Sequence, residues 1–140
     1  MENQTICVPQ IKTTAKDAKS GTSMFYAEKS AKIVDTVSYR NLVPGKKYKV
    51  VGTAVDKSNG APVIANGNNV TAEAEFVAKE ATGKVDVVFT FDASLLAGRT
   101  IVMFENVYYE NNLIATHADI TDEAQTLYVP KIGTTAIDGE

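Results

Sequence analysis

Ala31-Lys32-Ile33-Val34-Asp35-Thr36-Val37-Ser38-Tyr39, then Leu42-Val43-Pro44-Gly45-Lys46, then Lys47-Tyr48-Lys49-Val50-Val51-Gly52 reads as strand, turn and strand. Both runs are rich in β-branched and aromatic residues and alternate from residue to residue, as strands with one buried face do. Between them Pro44 presets φ and Gly45 accepts the positive φ that the third position of a type II turn demands. Working outward, similar runs lie at 9–16, 31–39, 46–56, 69–78, 84–91, 100–109, 112–117 and 124–130, separated by Gly, Asn, Pro and Ser clusters. That rhythm predicts an all-β sandwich or barrel. Helical periodicity is missing, and only Asp92-Ala93-Ser94-Leu95-Leu96 could make one helical turn before Gly98 stops it. Ser58-Asn59-Gly60-Ala61-Pro62 and Asn66-Gly67-Asn68-Asn69 bound a polar excursion expected at one end of the fold.

The start of the chain recurs near its end. Val8-Pro9-Gln10-Ile11-Lys12-Thr13-Thr14-Ala15-Lys16-Asp17 returns as Val129-Pro130-Lys131-Ile132-Gly133-Thr134-Thr135-Ala136-Ile137-Asp138, identical at seven of ten positions. The offset, 129 − 8 = 121 residues, is one domain length. The expected organisation is a tail over 1–7, one domain over 8–129, and the start of a next repeat over 130–140.

Composition suits an extracellular structural module. The 140 residues, 44% hydrophobic and 22% charged, can bury one core. A net charge of −3 with both signs interspersed gives no reason to expect nucleic acid or an anionic membrane as partner. No apolar run approaches the ~18 residues of a membrane span, and Met1–Cys7 lacks the pattern of a signal peptide, so targeting and anchoring sequences are expected outside this segment. Cys7 is the only cysteine, which precludes an internal disulfide. No cofactor or metal site is expected.

Period-two counting places polar groups where a core should be apolar. Ile11, Thr13 and Ala15 share one face of the first strand, so Thr13 points inward and Thr14 outward. Ile33, Asp35, Val37 and Tyr39 share a face of the second, and Gln125, Leu127 and Val129 share one in the last. Glu105 lies in Ile101-Val102-Met103-Phe104-Glu105-Asn106-Val107-Tyr108-Tyr109, apolar enough on both sides to be a central strand, where a carboxylate is costly unless protonated or hydrogen-bonded. His117, the only histidine, ends a strand eight residues before Gln125. Each has an ordinary structural reading too: buried Thr suits a pleat, lone His is often a surface or satisfied core residue, and inward acids and amides can serve backbone groups at bulges and edges. The combination of hydroxyl, imidazole, two acids and amide outweighs those readings taken singly.

These residues fall in a recognisable order: Pro9-x-Ile11-x-Thr13-x-Ala15; Val34-Asp35-x-Val37-x-Tyr39-x-Asn41-Leu42-x-Pro44-Gly45-x-x-Tyr48; Val102-x-Phe104-Glu105; His117-x-Asp119-x-x-Asp122-x-x-Gln125; and Pro130-x-Ile132-x-Thr134-x-Ala136 of the following repeat. From about Val8 to Val129 the chain resembles a T-Q ester-bond domain, the immunoglobulin-like repeat of Gram-positive surface adhesins. The resemblance implies an immunoglobulin-like β-sandwich of roughly seven to nine strands whose first and last strands are covalently tied.

It also implies roles. Thr13 is the nucleophile and the Gln125 amide the electrophile, joined as an intramolecular ester with loss of ammonia. His117 takes the hydroxyl proton and returns one to the departing nitrogen. Asp35 orients the imidazole, and Glu105 lies beside Asp35 and shares a proton with it. The reaction is a single self-modification without external substrate, so the domain is not an enzyme in the turnover sense. The implied setting is a monomeric, mechanically loaded stalk segment of a cell-wall-anchored extracellular adhesin, with adjacent repeats as partners and the host ligand bound elsewhere. Thr134 has no glutamine downstream and is expected unreacted.

Other readings remain open at this point. A Lys–Asn or Lys–Asp isopeptide could serve the same purpose through Lys32 or Lys49, although both alternate away from the expected core. The loops near Asn59 or Asn66 could bind a ligand. Thr13, His117 and Asp35 could also form a hydrolase, but no nucleophile-elbow glycine pattern accompanies them.

Overall fold

A computed structural model describes residues 8–131; Cys7 and most of the recurrent segment, including Thr134, lie outside the described residues. The strands are β1 (Gln10–Asp17), β2 (Ala31–Arg40), β3 (Lys47–Asp56), β4 (Ile64–Ala65), β5 (Asn68–Asn69), β6 (Thr71–Val77), β7 (Gly83–Phe91), β8 (Thr100–Tyr109), β9 (Asn112–His117) and β10 (Thr126–Tyr128). They form an all-β sandwich. One sheet has the order β1-β2-β7; the other runs β10-β8-β3-β6, with β9 also on β8. Every pairing within these two sheets is antiparallel.

The alternation expected from sequence is the alternation observed. In β1 every second residue from Ile11 to Asp17 is buried, and in β2 the buried face is Ala31, Ile33, Asp35, Val37 and Tyr39. Ile101, Met103, Glu105 and Val107 point inward from β8, which has β3 on one side and β9 and β10 on the other. At one end Tyr39, Tyr48, Phe76 and Tyr109 stack with ring centroids 5.2–5.8 Å apart. At the other, Phe25 meets Phe91 edge-on at 6.0 Å. Apolar groups thus close both ends of the space between the sheets.

The Pro44-Gly45 turn forms as expected: Gly45 has φ 87° and Lys46 N donates to Val43 O at 3.2 Å. The polar excursion contains a hairpin the period counting did not resolve. β4 pairs with β5 across Asn66 (φ 52°) and Gly67 (φ 81°), the two positive values of a type I′ turn. Asp92–Leu96 folds as a hydrogen-bonded turn, Leu96 N to Ala93 O at 3.0 Å, with Asp92 Oδ1 accepting from Ser94, rather than as a helix.

The last expected strand is the main departure. Residues 124–130 do not run as one strand: Glu123–Gln125 is a 3-10 turn capped by Asp122, and only Thr126–Tyr128 pairs with β8. The reason is the edge of β8. β9 ends where His117 pairs with Glu105, β10 begins where Thr126 pairs with Val102, and the chain between them loops off the sheet.

Candidate functional site

Register brings the predicted residues to one side of the sandwich. Thr13 pairs with Val37 and Asp35 with Ala15, so Thr13 and Asp35 are diagonal neighbours on the inner face of the first sheet. From the second sheet Gly52, Glu105 and His117 form a row across β3, β8 and β9. β1 lies against β9, β10 and the 3-10 turn, so the strand that carries Thr13 meets the turn that carries Gln125.

Gln125 joins the two sheets. Its Nε2 donates to Met103 O at 2.6 Å, the carbonyl left without a strand partner by the gap between β9 and β10, and to Asp35 Oδ2 at 3.4 Å. Parity therefore aimed Gln125 inward correctly although the residue sits in a turn; it is fully buried.

Among the described residues, the buried side-chain polar atoms without a hydrogen-bond partner are Thr13 Oγ1, Asp35 Oδ1, both carboxyl oxygens of Glu105, and Gln125 Oε1. All belong to four of the five residues singled out from sequence. Folded proteins leave few such atoms unpaired, because each forfeits about 1–3 kcal/mol of solvation without compensation. Their confinement to one place makes it the candidate site, since rules of packing are broken chiefly where function requires it.

Electrostatics follow from burial. Asp35 is flanked on its sheet by Ala15 and Val87 and is fully buried. Desolvation pushes its carboxyl up to about 7 from a usual 3.8; the hydrogen bond from Gln125 opposes this, and the charges of Asp122 and Asp86 add to it. Asp35 thus titrates near neutrality. Glu105 is 1% exposed with neither oxygen partnered, a costly setting for an ionised carboxylate.

His117 differs from expectation in its partner. The imidazole Nε2 pairs with Asp122 Oδ2 at 2.5 Å, and no hydrogen bond joins it to Asp35 among the described residues. The side chains of His117 and Asp122 keep 21% and 25% of their surface, so the pair stands at the rim. Asp122 is the residue that reasoning from sequence left without a role. Its signal was present: an acid five residues after the lone histidine, three before the inward glutamine, in the capping position of a short turn.

The lysines of the isopeptide reading lie elsewhere. Lys32 is exposed on the outer face of β2, and Lys49, half-buried, reaches Glu73 at 3.8 Å. Asn59 and Asn66 serve turns: Asn59 Oδ1 accepts from Ala61 N, and Asn66 adopts positive φ. No group of His, Cys, Asp or Glu suited to a metal ion occurs among the described residues, and none of their helices is long and apolar enough to cross a membrane.

Comparison with known proteins bears on family and fold. The profile of the family described as T-Q ester bond containing domain matches residues 9–129. A bacterial adhesin from Mobiluncus mulieris "containing intramolecular disulfide, isopeptide, and ester bond cross-links" superposes with a TM-score of 0.67 at 17% identity, covering 91% of this chain and 59% of that one. A second crystal form of it gives 0.65 at 16% with the same coverage. A glycosyl hydrolase family 2 member from Bacteroides cellulosilyticus shares the sandwich at a TM-score of 0.54 and 12% identity, over 78% of this chain and 14% of that one. At such identities the likeness is one of fold, and the chain spans about three-fifths of the adhesin it matches. No curated protein matches the sequence significantly.

Proposed function

The chain belongs to the T-Q ester bond containing domain family, and from that premise we propose that Thr13 and Gln125 are joined by an ester the domain forms once on itself. One observation carries this reading: the unpartnered buried atoms are the hydroxyl that would attack, the carbonyl oxygen that would receive negative charge, and the acids beside them. In the proposed step Thr13 Oγ1 attacks Gln125 Cδ while His117 takes the hydroxyl proton. The tetrahedral centre collapses, the Cδ–Nε2 bond breaks, the proton passes from His117 to nitrogen, and ammonia leaves.

Asp122 takes the orienting part first expected of Asp35. A proton on Nε2 directed at Asp122 leaves Nδ1 as the basic nitrogen and favours the imidazolium when it forms. Asp35, poised near neutrality beside the leaving nitrogen, and Glu105 then supply an acid hydrogen to the developing oxyanion, a donor that backbone amides provide in other acyl transfers. Folding itself is the driving contribution. It holds hydroxyl and amide together with an effective molarity that can reach ~10⁵ M or more. Burial keeps water from the product.

The cross-link ties the first strand to the turn that leads into the last. Such a tie carries tension past the core and blocks the opening that proteases need, which suits one repeat of an extracellular, cell-wall-anchored stalk with further repeats as neighbours. The adhesin from Mobiluncus mulieris, with its ester and isopeptide cross-links, supports that setting. The test is an intact mass. The wild type should lack one ammonia, and Thr13→Ala and Gln125→Ala should not; a wild type of full mass would overturn the proposal.

A further inference from the structure

Gly52 sits in the interior of β3, where a glycine is a poor choice: it packs nothing and loses more backbone entropy on folding than any alternative, a cost of roughly 0.5–1 kcal/mol. Its φ is not positive, so the conformation does not require it. Space does. A Cβ at this position would stand 2.5 Å from Glu105 Oε1, 3.0 Å from Glu105 Oε2 and 2.5 Å from Phe89 Cζ. Gly52 is paired with Glu105 across the β3–β8 ladder, and Glu105 in turn with His117 across β8–β9. The carboxyl therefore lies over the glycine Cα, in the volume a side chain would fill, with Phe89 of the facing sheet closing that volume.

We infer that Gly52 is a positioning residue for the cross-linking reaction: its missing side chain is the socket that holds the Glu105 carboxyl at the site. This rests on the ester reading above and extends it to a residue that touches neither reacting group. Neither Glu105 oxygen has a hydrogen-bond partner, so no polar contact fixes the carboxyl. Shape does so, between Gly52 on one side and the Phe89 ring on another. A methyl at residue 52 drives the carboxyl out of the socket and displaces the acid that serves the oxyanion.

The test uses the full chain made by cell-free translation, with ammonia loss followed by intact mass. Gly52→Ala alone also pushes on Phe89, so Gly52→Ala/Phe89→Leu is compared with Phe89→Leu; the smaller side chain makes room on the ring side only. Cross-linking at least tenfold slower in the double variant, with a native circular dichroism spectrum, is the expected result. Equal rates in the two overturn the inference.

A second readout separates a socket from a merely conformational need for glycine. In the uncross-linked Thr13→Val/Phe89→Leu background, Gly52→Ala should lower the melting temperature when Glu105 is present and raise it when Glu105 is alanine, because with the ring shortened the carboxyl is what opposes the methyl there. A fall in both backgrounds sinks the socket. If wild type keeps its full mass, the ester reading fails, yet this melting comparison still reports on the socket; if wild type loses ammonia and the two Phe89→Leu chains react alike, only the role of Gly52 is lost.

Discussion

Asp122 hydrogen-bonds both to His117 and within the turn that carries Gln125. Its Oδ2 meets His117 Nε2 at 2.5 Å, while its Oδ1 accepts from Ala124 N at 3.0 Å and its carbonyl accepts from Gln125 N at 3.1 Å and Thr126 Oγ1 at 2.7 Å. The same residue thus orients the imidazole and folds the 3-10 turn that aims Gln125 inward. His117 and Gln125, the base and electrophile of the proposed reaction, are set relative to each other through one side chain and its own backbone.

The first prediction separates those two duties. Asp122→Asn keeps an oxygen for the cap but loses the charge that holds the imidazole tautomer. Ester formation should slow by up to about 10⁴-fold, the loss that the same change to the orienting acid of a serine-protease triad produces, with the fold retained. The mass of freshly translated protein against time reads the rate. A folded Asp122→Asn that reacts as fast as wild type would return the orienting part to another acid.

Asp35 makes stability depend on pH in a defined sense. Its usual value is 3.8 and its folded value about 7, so between them the folded chain binds more protons than the unfolded one. Stability of the uncross-linked chain should therefore be greatest below pH 4 with respect to this group, and fall until the pH passes about 7. The loss amounts to about 4 kcal/mol in all. Urea titrations of Thr13→Val across that window should show the decline, and Thr13→Val/Asp35→Asn should lack it. Parallel profiles for the two chains would mean that Asp35 is already satisfied in the fold.

Much of this was legible in the sequence because each sheet buries one face. Where burial forces alternation, parity alone aims Thr13 and Asp35, and it aimed Gln125 correctly even though the strand assigned to it proved to be a turn; Glu105 was marked instead by a run apolar on both sides, as a central strand is. What parity cannot show is the path of a loop that leaves the sheet. The pairing of His117 with Asp122 depends on the break between β9 and β10, a tertiary event with no period. Gly52 was visible as a lone glycine within a strand pattern, a signal of close approach, but the approaching group lay 105 − 52 = 53 residues away. The Asn66-Gly67 hairpin was written in its dipeptide and hidden by the brevity of its strands.

The chemistry of the bond itself separates ester from amide. An isopeptide between lysine and asparagine also loses ammonia, so mass alone does not distinguish them. Alkaline hydroxylamine should cleave the wild-type link, restoring Thr13 and leaving a hydroxamate at Gln125, whereas an amide would survive. Lys32→Ala/Lys49→Ala should still lose ammonia, since Lys32 faces solvent and Lys49 is paired with Glu73. A deficit that vanishes in this double variant would move the cross-link to a lysine.

Thr13→Val isolates what the cross-link contributes to stability. Valine has the shape of threonine, and Thr13 Oγ1 makes no hydrogen bond, so the substitution removes neither packing nor a polar contact. What it removes is closure of the chain over 125 − 13 = 112 residues. Treated as a disulfide is treated, that closure restricts the unfolded ensemble by about 4–5 kcal/mol. For a domain of this size the melting temperature should fall by roughly 10–30 °C. Thr13→Ser, which keeps the hydroxyl, should form the ester and stay near wild type. The fall must also be absent between Gln125→Ala and Thr13→Val/Gln125→Ala, because neither of these chains can close. A difference persisting between them would assign the loss to packing at Thr13, and equal melting of wild type and Thr13→Val would mean that the tie does not constrain the unfolded chain.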